Sequence, residues 1–439
     1  MLMSLVLDAI YLLAAAVLSP WLVYALAVKR NYRQGLLARF GLRALPELKQ
    51  SIWLHGASAG EVLLMRPLLK RLETTLPKAT FVISTVTSTG KLAAEKAYPR
   101  HQVIYFPLDL SPVVRIFFRR LKPKIIIVFE SEFWPNFLLC ARRANIPVVL
   151  LNGKLSPRSY LAYKRTLLIP WLLKQLSLLA VQNEEYAERF HRLGVAQEKI
   201  AVTGNMKYDL PHDTGGKLAR GALRKEFGYP PDRTILIGGS THSGEHEALI
   251  YAFSRLRKAG HRLQLILVPR YPAEATDIER KVEQFALSVV RRTSLHQTGH
   301  LSSLDNCDSV LIVDTMGELT RFYAMADIAY VGGSLFFRKS NKGGHNLMEP
   351  AMLGLAVLFG PYNFSFRDTV ATLMSEAAAI MVRDQEDLYQ QLADLLTHPQ
   401  RVAELGQKAR TVMLKQRGAT ARNMELLSPL TAQPTRALC

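Results

Sequence analysis

The sequence lacks most of the short patterns that identify cofactor-dependent and metal-binding proteins. Its three cysteines, Cys140, Cys307 and Cys439, are scattered and form no C-x-x-C pair, which argues against a disulfide framework and fits a reducing compartment. No G-x-x-x-x-G-K-[ST] segment occurs, and no G-x-G-x-x-G follows the first predicted strand, so neither a P-loop NTPase nor a dinucleotide-dependent dehydrogenase is supported. Because there is no D-x-D triplet and no His/Cys cluster at ligand spacing, we expect no metal and no cofactor.

Negative charge is also scarce. The 439 residues include 36 Asp and Glu against 56 Lys and Arg, a formal net charge of +20. Such an excess predicts a polyanionic partner, which could be nucleic acid, an anionic membrane surface or a phosphorylated substrate. Composition does not choose among these three. With 49% hydrophobic residues the chain is long enough to form two packed domains.

Residues 1–28 form one long apolar run and are predicted to be a membrane-anchor helix, since about 20 apolar residues suffice to cross a bilayer. A basic segment, residues 29–50, follows at once, and the positive-inside rule then places the body of the protein in the cytoplasm. A cleaved signal peptide would need basic residues before the apolar run, and none is present. Asp8 and Pro20 weaken a true span, so a helix lying in the membrane interface stays open.

The rest of the chain alternates short Ile- and Val-rich runs with helical stretches. Residues 51–206 are expected to form one doubly wound α/β domain, because such runs are typical of buried parallel strands joined by crossover helices. Pro and Gly interrupt the pattern over 207–233, the predicted linker, and it restarts over 234–425, before a tail at 426–439. The prediction is an α/β protein with two Rossmann-like domains whose strand ends face a cleft.

A glycine-rich segment of the second domain points to a nucleotide. After the predicted strand at 328–331, Gly343, Gly344 and His345 lead into a helix that carries Glu349. Backbone N–H groups at a helix start can hold a phosphate, and a carboxylate one turn later can accept a hydrogen bond from a ribose hydroxyl. The alternative is an ordinary strand–loop–helix unit whose glycines only make tight turns.

Two further strand ends of the second domain carry suitable groups. Pro269 and Arg270 end one predicted strand, and Met316, Gly317 and Glu318 follow another. Arginine binds phosphate, and a second carboxylate can bind ribose. With the glycine-rich segment they would hold a nucleoside monophosphate.

In the first domain, Glu61 lies on the turn after the first predicted strand, where a carboxylate could take a proton from an attacking hydroxyl. Ser58, Gly60 and Glu61 belong to an S-x-x-E sequence, so helix capping is the alternative role.

Polar residues also follow other strands of the first domain, among them Glu130, Asn152, Lys154 and Lys207. Because the carboxyl ends of parallel strands meet at one edge of a sheet, these residues predict one shared site.

Eight segments in this order carry a family resemblance: LHGASAGE (54–61), ESEFWPN (130–136), NGKLS (152–156), GNMK (204–207), GSTHSGE (239–245), VPR (268–270), DTMGEL (314–319) and GGHNLME (343–349). Over nearly the whole chain the sequence resembles the Kdo transferases of lipopolysaccharide assembly. These are GT-B glycosyltransferases that move 3-deoxy-D-manno-oct-2-ulosonic acid (Kdo) from CMP-Kdo to the lipid A precursor, lipid IVA.

The resemblance implies roles for individual residues. Glu61 would be the general base, and Glu130 and Lys207 would stabilise the transition state. The implied CMP contacts are Pro269, Arg270, Met316, Gly317, Glu318, Asn346, Leu347, Met348 and Glu349. The implied acceptor contacts are Ser58, Gly60, Asn152 and Lys154. Lys154 stands where the family usually has Arg, and the loop at 336–342 is long and basic.

The resemblance further implies an inverting, metal-independent enzyme at the inner membrane of a Gram-negative bacterium, with its body on the cytoplasmic side. Its partners would be CMP-Kdo, the lipid A precursor and the anionic inner leaflet, and no nucleic acid. One alternative is a GT-B transferase with another nucleotide sugar and another lipid acceptor. The other is a membrane-tethered nucleic-acid-binding protein, which would need the basic recognition helix or aromatic stacking residues that this sequence lacks.

Overall fold

The computed structural model describes residues 2–28, 33–210, 216–298, 309–337 and 343–432. Contacts divide the chain into two compact units. The first consists of residues 1–210 together with 416–439, and the second of residues 211–415.

The first unit is built on a parallel sheet with the strand order β3-β2-β1-β4-β5-β6-β7. Its strands are β1 Ser51–His55, β2 Phe81–Thr85, β3 Gln102–Tyr105, β4 Pro123–Phe129, β5 Val148–Gly153, β6 Leu178–Val181 and β7 Ile200–Val202. The order reverses between β1 and β4. In open parallel sheets the loops that follow the strands diverge at such a switch point and leave room for a ligand.

Helices cover both faces of this sheet. They are α1 Leu2–Val17, α2 Ser19–Val28, α3 Leu36–Arg39, α4 Ala59–Leu64, α5 Arg66–Thr75, α6 Ser88–Ala97, α7 Ser111–Leu121, α8 Pro135–Arg143, α9 Pro157–Lys164, α10 Leu168–Leu173, α11 Glu184–Arg192 and, after the second unit, α21 Ala419–Ala432. Side chains alternate between the faces along a strand, so Ile52 and Leu54 enter one core while Trp53 enters the other.

The N-terminal apolar run corrects the prediction of a single anchor helix over residues 1–28. It forms two helices, α1 and α2, which separate at Leu18. Pro20 explains the break, because proline lacks an N–H donor and its ring clashes with the carbonyl four residues earlier. Among the described residues, no helix combines the length and the apolarity needed to cross a membrane. One face of α1, with the buried residues Ser4, Leu7 and Asp8, packs on the rest of the first unit.

The second unit is built on another parallel sheet, with the order β10-β11-β9-β8-β12-β13-β14. Its strands are β8 Thr234–Thr241, β9 Leu263–Pro269, β10 Ser288–Arg291, β11 Ser309–Ile312, β12 Ile328–Val331, β13 Ala356–Phe359 and β14 Ile380–Met381. Here the switch point lies between β8 and β12. The helices are α12 Gly216–Glu226, α13 Glu245–Lys258, α14 Ala275–Glu283, α15 Arg292–Thr298, α16 Leu319–Met325, α17 Met348–Met352, α18 Arg367–Ser375, α19 Gln385–Thr397 and α20 Pro399–Lys415.

The unit boundaries differ from the predicted ones. Helix α12 lies within the predicted linker 207–233 and belongs to the second unit. The predicted end of the second domain at 425 is corrected as well, because α21 packs on the first unit, with Leu427 in its core. Asp209 holds the start of α21 by accepting hydrogen bonds from the N–H groups of Gly418 (2.7 Å) and Thr420 (2.5 Å). The remainder of the predicted tail, 433–439, lies outside the described residues.

Candidate active site

Glu61 stands beside the switch point of the first sheet, in the first turn of α4 and just after β1. The Ser58 hydroxyl donates to Glu61 Oε1 (3.0 Å), and the Ala57 N–H donates to Oε2 (2.8 Å). The Ser58 oxygen also accepts a long bond from the Glu61 N–H (3.4 Å), so the capping arrangement predicted as an alternative does form. Burial, and after it the charge of Glu130, raises the pKa of the Glu61 carboxyl. The carboxylate is therefore both fixed in place and more basic than usual.

Glu130 follows β4, on the other side of the same switch point. It is 5% exposed and has a left-handed backbone with φ of 63°. Its two carboxylate oxygens are bound by the ammonium groups of Lys154 and Lys207, the latter at 3.4 Å. A residue other than glycine in this region costs roughly 1–3 kcal/mol, and such strain is concentrated at functional sites. The structure thus brings three of the predicted residues together.

Asn152 helps to hold Lys207 near this site. It is fully buried, has φ of 54°, and its Oδ1 accepts the N–H of Met206 at 2.9 Å. Gly60 has open space beside it, since an added Cβ would meet only Ser58 Oγ at 4.0 Å. Gly60 is exposed, so this space opens to solvent. The acceptor roles of these residues stay predictions.

Glu132 and His55 complete the cluster, and the sequence analysis did not select either as a site residue. Glu132 Oε2 accepts from Trp134 Nε1 (3.0 Å) and lies 4.0 Å from His55 Nε2. Burial, and then the charge of Glu61, raises the pKa of the Glu132 carboxyl. Burial lowers the pKa of His55 to about 3, so its imidazole is neutral at neutral pH. The E-x-E pattern at 130–132 was the available signal for Glu132.

In the second unit the glycine-rich segment packs against neighbouring loops. A Cβ on Gly343 would lie 2.1 Å from the carbonyl oxygen of Tyr362, and one on Gly344 would lie 1.9 Å from Asn363 Oδ1. The N–H of Gly344 donates to Gly333 O at 2.6 Å. Close packing therefore explains both glycines, and the phosphate-cradle role predicted for this segment stays a prediction.

His345 contacts a second histidine, His242, which lies on the other side of the switch point in the second sheet. Its Nε2 lies 2.9 Å from Nε2 of His242, which follows β8, and the two rings are nearly parallel. The second unit thus places two imidazoles where the loops after β8 and β12 meet. Only His345 was among the predicted site residues.

Glu349 is fixed by its neighbours at the start of α17. Asn346 Nδ2 donates to Glu349 Oε1 (3.0 Å), and Thr320 Oγ1 donates to Oε2 (3.4 Å). Burial raises the pKa of the Glu349 carboxyl. Leu347 and Met348 are buried, and the Met348 N–H donates to Asn346 Oδ1 at 3.0 Å.

Glu318 forms a second polar group, just before α16. Arg292, itself buried, donates to Glu318 Oε1 at 3.0 Å, and the Thr315 hydroxyl donates to the other oxygen. Although burial alone would raise it, these hydrogen bonds hold the pKa of Glu318 below its ordinary value. Met316 and Gly317 lie between Thr315 and Glu318 in the chain. The side chain of Met316 is largely exposed, and Gly317 has φ of 86°.

Strand β9 ends at Pro269, and Arg270 follows it directly. The Arg270 N–H donates to Thr241 O at 2.8 Å, while the guanidinium is exposed and lies 5.6 Å from the ring centre of Tyr271. Within the described ranges, no three His, Cys, Asp or Glu side chains form a group that could hold a metal ion.

Glu245 and Arg292 are two buried charged residues of the second unit that were not among the predicted site residues. Glu245 is 1% exposed and accepts hydrogen bonds from the N–H groups of Gly333 (2.7 Å), Ser334 (2.9 Å) and Leu335 (3.0 Å). It therefore shapes the loop after β12. The signal was present, since the S-G-E of the second unit matches the S-A-G-E that contains Glu61.

Comparison with solved structures shows the fold. The UDP-GlcNAc 2-epimerase of Neisseria meningitidis is 12% identical, with a TM-score of 0.60 over 87% of this chain and 100% of that one. A glycosyltransferase of Rickettsia africae is 14% identical, with a TM-score of 0.57 over 88% of this chain and 100% of that one. These likenesses concern the fold alone, and with the two doubly wound units they confirm the predicted GT-B class.

Comparison with known sequences shows the family. A family model described as 3-deoxy-D-manno-octulosonic-acid transferase (kdotransferase) matches residues 34–210. The 3-deoxy-D-manno-octulosonic acid transferase of Haemophilus influenzae is 33% identical over 91% of this chain and 92% of its own. That of Chlamydophila psittaci is 31% identical over 95% of this chain and 94% of its own. The chain belongs to the 3-deoxy-D-manno-octulosonic acid transferase family.

Proposed function

We propose that the protein is an inverting, metal-independent glycosyltransferase that moves Kdo from CMP-Kdo to the lipid A precursor, lipid IVA. The observation that carries the proposal is the Glu61 carboxylate, fixed by two donors beside the switch point of the first sheet with a raised pKa. A base of this kind suits the removal of a proton from a hydroxyl group. Family membership supports Kdo as the transferred sugar.

The donor would bind to the second unit. Glu349 and Glu318 are carboxylates already held by side-chain donors, so each can accept a further hydrogen bond from a ribose hydroxyl or the cytosine amino group. The exposed guanidinium of Arg270 suits the single phosphate of a nucleoside monophosphate sugar. The neighbouring His242 and His345 supply further nitrogen donors or acceptors.

The chemistry follows from the donor's structure. The bond between the anomeric carbon and the phosphate oxygen breaks heterolytically, and its electron pair leaves with CMP. Positive charge develops on the carbon, and an acceptor hydroxyl attacks it from the opposite face. Glu61 takes the hydroxyl proton as the new carbon–oxygen bond forms, so the configuration at that carbon inverts.

Glu130 and the two ammonium groups that it binds, those of Lys154 and Lys207, would act electrostatically. The Lys207 ammonium can stabilise negative charge that develops on an oxygen of the reacting groups, and Glu130 fixes that ammonium at 3.4 Å. Lys154 binds the other oxygen of Glu130 and keeps the buried carboxylate compensated. In this arrangement Glu130 sets the position of the positive charge.

The donor assignment predicts a ranking of nucleotides. We expect CMP to raise the melting temperature of the protein and to inhibit transfer competitively against CMP-Kdo, with UDP far weaker. UDP protection equal to that of CMP would favour another nucleotide sugar.

Metal independence predicts that activity persists in EDTA, because the donor is already activated by its phosphate. Activity lost in EDTA and restored by Mg²⁺ would refute metal independence.

We propose that α1 and α2 attach the protein to the cytoplasmic face of the inner membrane of a Gram-negative bacterium by lying in the anionic lipid interface. The face of α1 away from the unit is apolar and exposed, with Leu13 at 67% and Val17 at 72%. Trp21 and Tyr24 of α2 are also exposed, and aromatic residues favour this boundary. The basic segment at 29–50, of which 29–32 lie outside the described residues, would contact anionic headgroups.

This attachment is tested by flotation with vesicles that contain anionic lipids. The wild-type protein should float with them, and a Leu13→Ser, Val17→Ser variant should float much less. Equal flotation of the two proteins, or none by the wild type, would contradict the proposal.

A further inference from the structure

Helix α1 is joined to the first unit by a buried carboxylate. Asp8 is 8% exposed, and its Oδ1 accepts hydrogen bonds from the N–H of Ser111 (2.8 Å) and from Nδ2 of Asn136 (2.8 Å). Its Oδ2 accepts the hydroxyl of Ser111 at 2.5 Å. These partners are the first residue of α7 and the second residue of α8. Three donors offset the cost of burying the carboxylate.

A second carboxylate connects the same elements. Asp109 Oδ1 accepts the N–H of Phe137 at 2.8 Å, and its Oδ2 accepts the N–H of Asn136 at 3.0 Å. Tyr11, one turn after Asp8 on α1, donates its hydroxyl to the same Oδ2 at 3.2 Å. Asn136 also donates Nδ2 to the Asp109 carbonyl at 2.8 Å. The start of α8 is thus held between Asp109 and α1.

The start of α8 is also the end of the loop that carries the acidic site residues. Residues 130–135 run from the end of β4 to Asn136, and they include Glu130 and Glu132. At its first end the loop is held by the main chain, with the Glu130 N–H donating to Leu151 O (3.0 Å) and the Lys154 N–H donating to Glu130 O (3.1 Å). At its second end it is held through Asn136. Asp8 therefore contributes to the geometry of the whole loop.

We propose that Asp8 is a positioning residue for turnover, which acts through Asn136 on the loop that bears Glu130 and Glu132. The proposal rests on the proposed function, in which that loop belongs to the reacting site. It gives α1 a second role, because one face of the helix is exposed and apolar while the other fixes an active-site loop. Asp8, a polar residue that would weaken a membrane span, instead contacts Asn136 at the end of this loop.

The test compares two substitutions at the same position. In Asp8→Ala all three hydrogen bonds disappear. In Asp8→Asn the Oδ1 atom still accepts from Ser111 and Asn136, and the new Nδ2 can donate to the Ser111 hydroxyl. We expect Asp8→Ala to lower kcat by about tenfold or more, since small displacements of reacting groups can cost up to roughly 100-fold. Asp8→Asn should restore most of it, and both variants should bind CMP and vesicles like the wild type.

Hydrogen exchange provides a readout that does not need turnover. The backbone amides of Asn136 and Phe137 should exchange faster in Asp8→Ala than in the wild type, and Asp8→Asn should restore slow exchange. If the wild type transfers no Kdo, the proposed function fails, while the exchange result still decides whether Asp8 holds the loop. If Asp8→Ala does not fold, Ser111→Ala, which removes the hydroxyl bond to Asp8, should give a smaller change in the same direction.

Three results would overturn the inference. One is a normal kcat in well-folded Asp8→Ala. Another is an equal loss of kcat in the Ala and Asn variants, which would show that the negative charge matters rather than the hydrogen-bond geometry. The third is unchanged exchange at Asn136 and Phe137.

Discussion

Replacement of Glu61 with glutamine is expected to lower kcat by roughly 10²–10⁴-fold, because a positioned general base contributes about that much. The glutamine side chain has the same shape, and its oxygen can still accept the Ala57 N–H while its amide donates to Ser58. The fold and CMP binding should therefore be preserved. The measurement is the rate of Kdo transfer at saturating donor, together with a thermal melt and CMP binding.

A matched control separates this effect from a general loss of negative charge in the first unit. Glu95 is an exposed carboxylate on α6 that pairs with Lys91 and with no other residue in the part of the chain that the structure describes, so Glu95→Gln should transfer Kdo at the wild-type rate. A near-normal rate for Glu61→Gln would restrict Glu61 to helix capping.

Replacement of Glu130 with glutamine is expected to lower kcat/KM by about 10²-fold, the size of the loss when a group that organises transition-state charge is removed. Glutamine keeps the volume of this buried side chain but no longer compensates the ammonium groups of Lys154 and Lys207. Those groups would repel each other and move. Steady-state kinetics with both substrates measures the loss, with Glu188→Gln, an exposed partner of Arg192, as the control. A decrease of less than threefold would contradict the electrostatic role.

The same variant should also shift the pH dependence of the reaction. A general base must be deprotonated, so kcat/KM rises as the pH increases through the pKa of Glu61. The charge of Glu130 raises that pKa and Lys154 lowers it. In Glu130→Gln the acidic limb of the profile should therefore move to lower pH, and in Lys154→Gln to higher pH. Shifts of the opposite sign would exclude Glu61 as the titrating base.

Much of the fold could be predicted because Ile- and Val-rich runs report burial on both faces of a strand. In the first unit the runs that include Ile52–Leu54 and Ile125–Phe129 coincide with β1 and β4. The edge strand β10, Ser288–Arg291, carries no such run, because it has only two apolar residues between two polar ones. Burial on an edge is partial, and the sequence pattern is correspondingly weak.

The contacts of the two chain ends could not be predicted, because they join residues that are distant in sequence. Asp8 accepts a hydrogen bond from Asn136, which is 128 residues away in the sequence. Arg422 donates to the carbonyl of Thr203, which is 219 residues away. Periodicity shows which face of a segment is apolar, but not which partner covers it. For this reason the sequence predicts a single anchor helix over residues 1–28, with its placement across the membrane or in the interface left open, and a tail over residues 426–439.

The candidate site could also be predicted only in part. Strand ends predicted that Glu61, Glu130 and Lys207 would lie at one edge of a sheet, and the structure places Glu61 and Glu130 on either side of its switch point. Sequence alone left capping and base roles of Glu61 as alternatives, whereas the structure shows an N-cap bond from the Glu61 N–H to Ser58 Oγ and two other donors, the Ser58 hydroxyl and the Ala57 N–H, that hold the carboxylate in place. Close packing against Tyr362 and Asn363 accounts for Gly343 and Gly344 of the second unit, and the phosphate-binding role predicted for them stays a prediction.

The proposed function requires transfer of Kdo from CMP-Kdo to the lipid A precursor. This transfer can be measured by mass spectrometry of the lipid after incubation of the purified protein with a tetra-acylated lipid A precursor and CMP-Kdo generated in situ. We expect a mass gain of whole Kdo units with the wild type and none with Glu61→Gln. An unchanged lipid mass, obtained with folded protein that binds CMP, would contradict the proposed acceptor, and a failure to bind CMP would contradict the donor as well.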